Sequence, residues 1–194
     1  MSLELVIGPM FSGKSTKLIR KIQLAKSINK KVLVIKPLIE TRYGENKLSS
    51  HSLEYELCQS SSTLETFSND VPNYDLIVID EGQFFPDLKQ YVLLWVDGYG
   101  KDVIVGGLDG DSDRKPFGQI LNCIPLCDSV VKLTAMDMIN KDESDGIFSL
   151  RISENTDQVL VGAQDKFLAV SRKNYLEKTK KYEKCEKCKK LGMN

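Results

Sequence analysis

The 194-residue sequence has no excess charge of either sign, because 27 lysine and arginine residues balance 27 aspartate and glutamate residues. A neutral chain lacks the long-range attraction that draws basic proteins to nucleic acids and anionic membranes, so we expect neither partner. The sequence has no apolar run approaching the roughly 18 residues that a membrane-spanning helix requires. Its first residues lack the basic start of a signal peptide. These absences lead us to expect a cytoplasmic protein.

Cysteine and histidine are also scarce. The five cysteines are odd in number and scattered, which indicates reduced thiols and not a disulfide framework. We predict that Cys123 and Cys127 are small core residues, whereas Cys185 and Cys188 offer only two of the four ligands of a structural zinc. The single histidine, His51, has no metal-ligating neighbour at a suitable spacing, and we interpret it as a surface residue.

The most informative stretch, from Gly8 to Thr16, fits the P-loop pattern of Gly, four residues and Gly-Lys-Ser. An apolar segment precedes it and an amphipathic segment follows it, as the strand and helix of that motif require. Backbone N–H groups and the positive end of the helix dipole would bind phosphate oxygens, with Lys14 adding charge and Ser15 placed to bind Mg²⁺. The alternative is a glycine-rich turn without a ligand. The candidate ATP-binding residues here are Gly8, Pro9, Met10, Phe11, Ser12, Gly13, Lys14 and Ser15.

Strand-like and helix-like segments alternate along the first 133 residues. Six apolar residues recur at helical spacing and predict a helix that ends near Asn29. An apolar strand over residues 31–36 follows, and a strand, a helix and a strand in close succession form a right-handed βαβ unit with a parallel sheet. We therefore predict an α/β fold with a P-loop NTPase-like parallel sheet flanked by helices. The six apolar residues are Leu18, Ile19, Ile22, Leu24, Ala25 and Ile28. Further elements are predicted as buried strands over 76–79, 102–109 and 130–133 and a helix over 87–95.

A second informative stretch is the strand that ends in Asp80 and Glu81. In a parallel sheet these carboxylates emerge at the edge formed by the strands' C-terminal ends, where the P-loop also lies. An acid at this place in P-loop proteins holds Mg²⁺ through water, which is the role predicted for Asp80. Glu81, the second carboxylate, is then available for a role other than holding Mg²⁺. The alternative is a solvated turn.

Two loops at the same predicted edge carry cations. Arg42 lies in the polar segment after the second strand, where it could reach a phosphate or could be a solvated loop arginine. Arg114 and Lys115 lie in the loop after the predicted strand over 102–109 and are candidates for stabilising charge in a transition state.

Five segments, in this order, resemble the thymidine kinase family of the small P-loop type found in cells and poxviruses. The resemblance implies phosphorylation of the 5′-hydroxyl of thymidine or deoxyuridine in nucleotide salvage, with ATP as donor and Mg²⁺. It implies that Glu81 takes the hydroxyl proton, that Lys14 assists catalysis, and that Asp80 and Gln83 join the ATP-binding set. We also predict Arg42 as a catalytic residue. The matching segments are 8–16, 80–85, 108–110, 114–118 and 131–135, and the match runs from about residue 3 to residue 175.

The resemblance also implies a thymine pocket that a flexible lasso closes through its backbone groups. Ser112 departs from the family, which usually carries an aromatic side chain there, and a stacked base is worth about 1–3 kcal/mol. Kinase activity on a different deoxynucleoside, or a non-catalytic ATP-binding regulator, are therefore the alternatives. The candidate nucleoside-binding residues are Met10, Phe84, Leu108, Ser112, Phe117, Thr134, Val159, Leu160, Val161, Gly162 and Phe167.

We predict a kinase core over residues 1–133, a small lasso and β-hairpin lobe over 134–175, and a lysine-rich tail over 176–194. Two strands are predicted within the lobe, over residues 147–152 and 159–162. The resemblance implies a homotetramer. In the family, two Cys-x-x-Cys pairs bind a zinc ion at the root of the lasso. None of the matching residues here has a thiolate, so we predict no structural zinc. These residues are Asp137, Asn140, Ser171 and Asn174.

Overall fold

The computed structural model describes residues 1–39, 47–49, 55–153 and 165–179. Within these ranges, twelve strands and three α-helices follow one another, with short 3-10 and π-helical turns between them. The strands are β1 (Ser2–Ile7), β2 (Val32–Pro37), β3 (Lys47–Ser49), β4 (Tyr55–Leu57), β5 (Gln59–Ser61), β6 (Leu76–Ile79), β7 (Asp102–Gly107), β8 (Ser129–Lys132), β9 (Ala135–Met136), β10 (Asp145–Gly146), β11 (Phe148–Arg151) and β12 (Phe167–Val170). The helices are α1 (Lys14–Ser27), α2 (Leu88–Leu93) and α3 (Arg172–Thr179).

A six-stranded parallel sheet forms the centre of the fold, in the order β5-β2-β6-β7-β1-β8. All four residues of β6 are buried, because the strand lies inside the sheet with a layer of side chains on each face. The predicted α/β fold with a parallel sheet is therefore confirmed. None of the helices in the described ranges combines the length and the apolar character needed to cross a membrane.

Helix α1 covers one face of the sheet through Leu18, Ile19, Ile22 and Ala25. The prediction that Leu24 and Ile28 share this face was wrong. Leu24 is 66 % exposed and Ile28 is 61 % exposed. Each residue turns the helix by about 100°, so Leu24 lies on the side opposite Ile22, and Ile28 lies just beyond the last helical residue.

The other face of the sheet is covered by the segment after β6. Leu88, Val92 and Trp95 are fully buried against it, and Tyr91 packs partly against the same core. The predicted helix over 87–95 is thus confirmed, although α2 ends at Leu93 and the chain continues as a π-helical turn over Leu94–Gly98.

Strand β8 corrects the prediction of a last core strand over residues 130–133. It pairs only with β1 in the main sheet and forms its edge, so its side chains have a neighbouring strand on one side alone. Val130 is 41 % exposed for this reason. Apolar composition identified a strand of the sheet here but not its position at the edge.

The segment after β8 forms two antiparallel pairs, β9 with β10 and β11 with β12. Strand β11 confirms the predicted strand over 147–152, and its register with β12 runs from Phe148 opposite Val170 to Arg151 opposite Phe167. The second strand predicted in this segment, over 159–162, lies outside the described residues. Treating residues 134–175 as a separate lobe stays a prediction.

The buried carboxylate of Asp137 ties the turn after β9 to the start of α3. Its Oδ2 accepts hydrogen bonds from the Ser171 N–H (2.7 Å) and from Asn174 Nδ2 (2.7 Å). Its Oδ1 accepts from the N–H groups of Ile139 (2.8 Å) and Asn140 (3.2 Å). Burial raises the pKa of Asp137, but the hydrogen bonds outweigh burial and hold that pKa well below its ordinary value.

Replacing Asp137 by asparagine should destabilise the protein by roughly 1–3 kcal/mol, because an amide nitrogen would then face donors that need an acceptor. A carboxyl whose pKa is lowered by folding stabilises the protein above its unfolded pKa of about 4 and loses this contribution as the pH falls below it. Urea unfolding of wild type and Asp137→Asn should therefore differ by a constant amount from neutral pH to about pH 5, and the difference should shrink in more acidic solution.

The exposed Asp142, which accepts one backbone hydrogen bond from Ser144, offers the matched control. Asp142→Asn should change the free energy of unfolding by less than about 0.5 kcal/mol. Equal effects of the two substitutions would show that Asp137 does not hold the turn to α3.

Candidate active site

The P-loop follows β1 and leads into α1, as predicted. A Cβ atom at Gly8 would overlap the carbonyl oxygen of Leu133, so a glycine lets the loop pass the chain just beyond β8. Gly13 caps α1 with a left-handed φ of 81°. Inside the loop, the Ser12 hydroxyl and the Lys14 ammonium both donate hydrogen bonds to the Pro9 carbonyl, at 2.8 Å and 2.7 Å. These contacts hold the ammonium of Lys14 against the loop backbone.

Ser15 and Asp80 meet next to this loop. The Ser15 hydroxyl donates to Oδ2 of Asp80 at 3.2 Å, and the Asp80 side chain is buried. Its Oδ1 is also buried and has no hydrogen-bond partner among the described residues. Burial, and then the neighbouring Glu81 carboxylate, raise the pKa of Asp80 well above its ordinary value, against the opposing effect of Lys14.

This pair of oxygen donors fits Mg²⁺. Hydroxyl and carboxylate oxygens are the ligands that the ion prefers. A buried carboxylate oxygen without a partner is costly, and a cation bound there would satisfy it and favour the ionised form of Asp80. The Mg²⁺ ligands predicted from the sequence, Ser15 and Asp80, therefore lie in one place.

Glu81 follows Asp80 in a left-handed backbone conformation, with φ 50° and ψ 44°. Such a conformation is uncommon for a residue other than glycine, and residues that adopt it cluster at functional sites. The side chain is half-buried, and its Oε2 accepts a 2.7 Å hydrogen bond from Nε2 of Gln83. Lys14 and Glu81 both lie close enough to Asp80 to shift its pKa. The structure thus brings together four predicted site residues, with Ser15 as the fourth.

Gln83 was predicted among the ATP-binding residues. Its side chain is 3 % exposed, and both ends of its amide have protein partners. Besides the bond to Glu81, its Oε1 accepts a 3.0 Å hydrogen bond from the N–H of Leu108. A contact between Gln83 and ATP is not among these interactions and stays a prediction.

Several predicted nucleoside-binding residues lie beside this acid pair. The rings of Phe84 and Phe117 meet edge to face, with their centroids 5.3 Å apart. Leu108 is linked to the same region through Gln83. The N–H of Met10 donates to the Ser149 hydroxyl at 3.0 Å, which joins the P-loop to β11. Sequence reasoning missed Ser149, because a single serine inside a strand carries no spacing signal.

The loop after β7 contacts β11 and α3. The Tyr175 hydroxyl donates to the carbonyl of Ser112 at 2.7 Å. The guanidinium of Arg114 lies 4.7 Å from the ring centroid of Tyr175 and 5.3 Å from that of Phe148. Arg114 therefore packs against aromatic rings, and these contacts do not support its predicted role in stabilising transition-state charge. Lys115 is exposed and donates its N–H to Asp111.

Two further predicted residues have other partners. Thr134 is exposed and donates its hydroxyl to Oδ1 of Asp145 at 2.9 Å. Phe167 is buried in β12, where the guanidinium of Arg151 lies 5.4 Å from its ring centroid. The remaining predictions lie outside the described residues, namely those on Arg42, His51, Val159, Leu160, Val161, Gly162, Cys185 and Cys188.

The four positions that match the family's zinc ligands come together around Asp137, but their chemistry does not fit zinc. Each carboxylate oxygen of Asp137 already accepts two N–H donors, and Asn140 and Ser171 contribute backbone N–H groups. Zinc in structural sites is held by thiolates and imidazoles. The described ranges contain no group of three or more histidine, cysteine, aspartate or glutamate residues that could hold a metal ion.

The described cysteines are structural. Cys123 is fully buried, which confirms its prediction as a core residue, whereas Cys127 is partly buried and packs against the margin of the same core. Burial raises the pKa of the thiols of Cys58 and Cys123 to about 11. Both thiols are therefore protonated and unreactive at neutral pH.

Comparison with known proteins agrees with this arrangement. A family model described as thymidine kinase matches residues 1–175. The thymidine kinase of vaccinia virus (strain Western Reserve) is 39 % identical over 175 residues, which cover 90 % of this chain and 97 % of the viral protein. The raccoon poxvirus thymidine kinase is 40 % identical over 174 residues, covering 90 % of this chain and 96 % of the relative.

A cellular relative is equally similar. Thymidine kinase 1 of Dictyostelium discoideum is 40 % identical over 177 residues, covering 89 % of this chain and 77 % of the relative. The fold is also partly similar to a solved structure described as a DNA replication initiation factor, with 14 % identity and a TM-score of 0.44 over 70 % of this chain and 40 % of that one. The family match and the relatives agree with the motifs: the chain belongs to the thymidine kinase family.

Proposed function

We propose that this chain transfers the γ-phosphoryl group of ATP to the 5′-hydroxyl of thymidine or deoxyuridine. Family membership supports thymidine as the acceptor. The observation that carries the proposal is the convergence of Lys14, Ser15, Asp80 and Glu81 at the end of the parallel strands. A protein that only binds ATP needs no second carboxylate beside the buried acid, which argues against a non-catalytic regulator.

The residues of the P-loop and the adjacent acid bind the phosphoryl donor, ATP. Backbone N–H groups of the loop and of the first turn of α1 bind the phosphate oxygens, and the Lys14 ammonium neutralises part of their charge. Ser15 and Asp80 would hold Mg²⁺, which would supply further neutralisation of the transferring group. These residues orient the phosphates and need not react themselves, because phosphoryl transfer depends chiefly on positioning and charge.

Glu81 serves the acceptor. As the nucleoside oxygen forms its bond to the γ-phosphorus, the bond from phosphorus to the departing ADP oxygen breaks, and the hydroxyl proton passes to the Glu81 carboxylate. A well-placed base of this kind contributes about 10²- to 10⁴-fold in rate. Asp80 is the less suitable base, because it is buried and bonded to Ser15.

The nucleoside lies, in this proposal, against Met10, Phe84, Leu108 and Phe117. Phe84 and Phe117 already form an edge-to-face pair that can wall a planar base. Ser112 gives the second candidate function, a kinase for another deoxynucleoside, since it carries no ring to stack on thymine. A homotetramer and a cytoplasmic location stay predictions from the sequence.

Glu81→Gln should lower kcat by about 10²- to 10⁴-fold, because an amide cannot take the hydroxyl proton. The KM for ATP should change little, since the P-loop and Asp80 are intact. Formation of thymidine monophosphate from thymidine, ATP and Mg²⁺ measures this, with the exposed Glu143→Gln as control. Wild-type turnover by Glu81→Gln would refute the assignment of the base. Product from another deoxynucleoside alone would favour the second candidate function.

Tyr175→Phe should raise the KM for thymidine by about 2- to 10-fold, the worth of one hydrogen bond, and leave the KM for ATP unchanged. The variant keeps the ring that packs against Arg114 and loses only the hydroxyl that holds the Ser112 carbonyl. Steady-state kinetics at varied thymidine and varied ATP separate the two constants. Tyr99→Phe is the control, because Tyr99 is exposed. A parallel rise in the KM values for thymidine and ATP would contradict a local effect on the loop after β7.

We also propose that no structural zinc is bound, because hydrogen bonds already use the Asp137 oxygens. Metal analysis of the purified protein should find far less than one zinc per chain, and a chelator should leave the unfolding temperature unchanged. Near one zinc per chain, lost together with stability on chelation, would overturn this proposal.

A further inference from the structure

We infer that Gln83 is a positioning residue for the base Glu81, and that it fixes the distance between this base and the wall of the nucleoside pocket. The inference rests on the proposed function, because it assumes that Glu81 receives the hydroxyl proton. It assigns Gln83 a task at the acceptor, whereas the sequence motif suggested one at ATP.

The amide of Gln83 bridges the ends of two neighbouring strands. Nε2 donates to Oε2 of Glu81 at 2.7 Å, just after β6, and Oε1 accepts from the N–H of Leu108 at 3.0 Å, just after β7. An amide flipped by 180° would set its oxygen against the carboxylate and its NH₂ against the N–H group. Only one orientation satisfies both partners, so the contacts themselves define which end faces Glu81.

The end of β7 is built to admit this amide. Gly107 is the last residue of the strand, and a Cβ atom there would overlap Oε1 of Gln83. The Gln83 side chain is buried, so water has little access to its amide, and its two hydrogen bonds are part-buried. Hydrogen bonds in such surroundings hold their partners more firmly than exposed ones do.

The hydrogen-bond donor next to the proposed base Glu81 is the neutral amide of Gln83 and not a cationic side chain. Glu81 is half-buried beside the acidic Asp80, and its backbone has an uncommon left-handed conformation. A lysine or arginine at position 83 would also hold the carboxylate, but its positive charge would weaken the affinity of that carboxylate for a proton. The amide fixes the direction of the carboxylate group without adding charge.

The contact with Leu108 connects the base to the substrate. Leu108 belongs to the proposed wall of the nucleoside pocket, and its N–H group is held by the same amide that holds Glu81. The two ends of Gln83 therefore set how far the base lies from this wall. A displacement of about 1 Å at a reacting centre can cost 10²-fold in rate.

The test begins with Gln83→Met, which keeps an unbranched side chain of similar length and removes both hydrogen bonds. We expect kcat to fall about 10- to 100-fold, with the KM values for ATP and thymidine changed less than about 3-fold. A rise in the KM for ATP as the main effect would show that Gln83 binds ATP, and it would overturn the inference.

A double-mutant cycle separates positioning from a structural role. In the Glu81→Gln background the base is already absent, so adding Gln83→Met should change the single-turnover rate less than about 2-fold. An effect of the same factor in both backgrounds would mean that Gln83 acts independently of Glu81. Full turnover by Glu81→Gln refutes Glu81 as the base, on which this inference rests, and a wild-type protein that forms no thymidine monophosphate refutes the proposed function. An inactive Glu81→Gln with a fully active Gln83→Met refutes this inference alone.

Gln83→Glu keeps the test decisive if the methionine variant does not fold. A protonated carboxyl at position 83 can donate to Glu81 as the amide does, but an ionised one repels it. The ratio of variant to wild-type kcat should therefore rise as the pH falls from 8 to 6. A ratio that is constant across this range would contradict the role of Gln83 as a hydrogen-bond donor.

Discussion

The arrangement of the active site depends on Gly106 and Gly107, the last two residues of β7. Strand β7 lies between β1 and β6 in the sheet. Ile7, the last residue of β1, pairs with Gly107, whereas Ile79 at the end of β6 pairs with Val105. Strand β7 therefore extends two residues beyond β6, past Asp80. A Cβ atom at Gly106 would overlap the Leu18 side chain of α1 and lie 3.3 Å from Oδ1 of Asp80. The absence of side chains here allows α1, and with it the P-loop, to approach the acid pair.

The adjacent carboxylates of Asp80 and Glu81 differ in burial, and this difference suits them to different roles. Asp80 is enclosed under α1, where the ionised form is costly without a cation, so its surroundings favour metal binding. Glu81 is half-buried and points out of the strand through a left-handed turn, which suits an exchange of protons with a substrate. Under the proposed function, the same chemical group would have two tasks, because burial differs between consecutive residues and the second has a left-handed backbone.

The sequence was most informative where function depends on neighbouring residues. The P-loop and the acid pair are local patterns, and the parallel sheet follows from strand and helix alternation, so all three were predictable. The hydrogen bond between Met10 and Ser149 and the packing of Arg114 on aromatic rings join residues far apart in the chain. No residue spacing in the sequence predicts these contacts. Leu24 shows the limit within one helix, because apolar composition alone placed it on the wrong face.

Under the proposed function, the contacts around α3 would link stability to substrate binding. Asp137 holds the residues that begin this helix, and Tyr175 in its first turn holds the Ser112 carbonyl in the loop after β7, beside the proposed nucleoside site. Loosening the first turn of α3 would therefore release the loop as well, even though Asp137 has no contact with the P-loop among the described residues. A metal ion could anchor the helix in the same way, but a carboxylate does so with donors that the chain itself supplies. The loop after β7 is thus only as well ordered as this hydrogen-bonded turn.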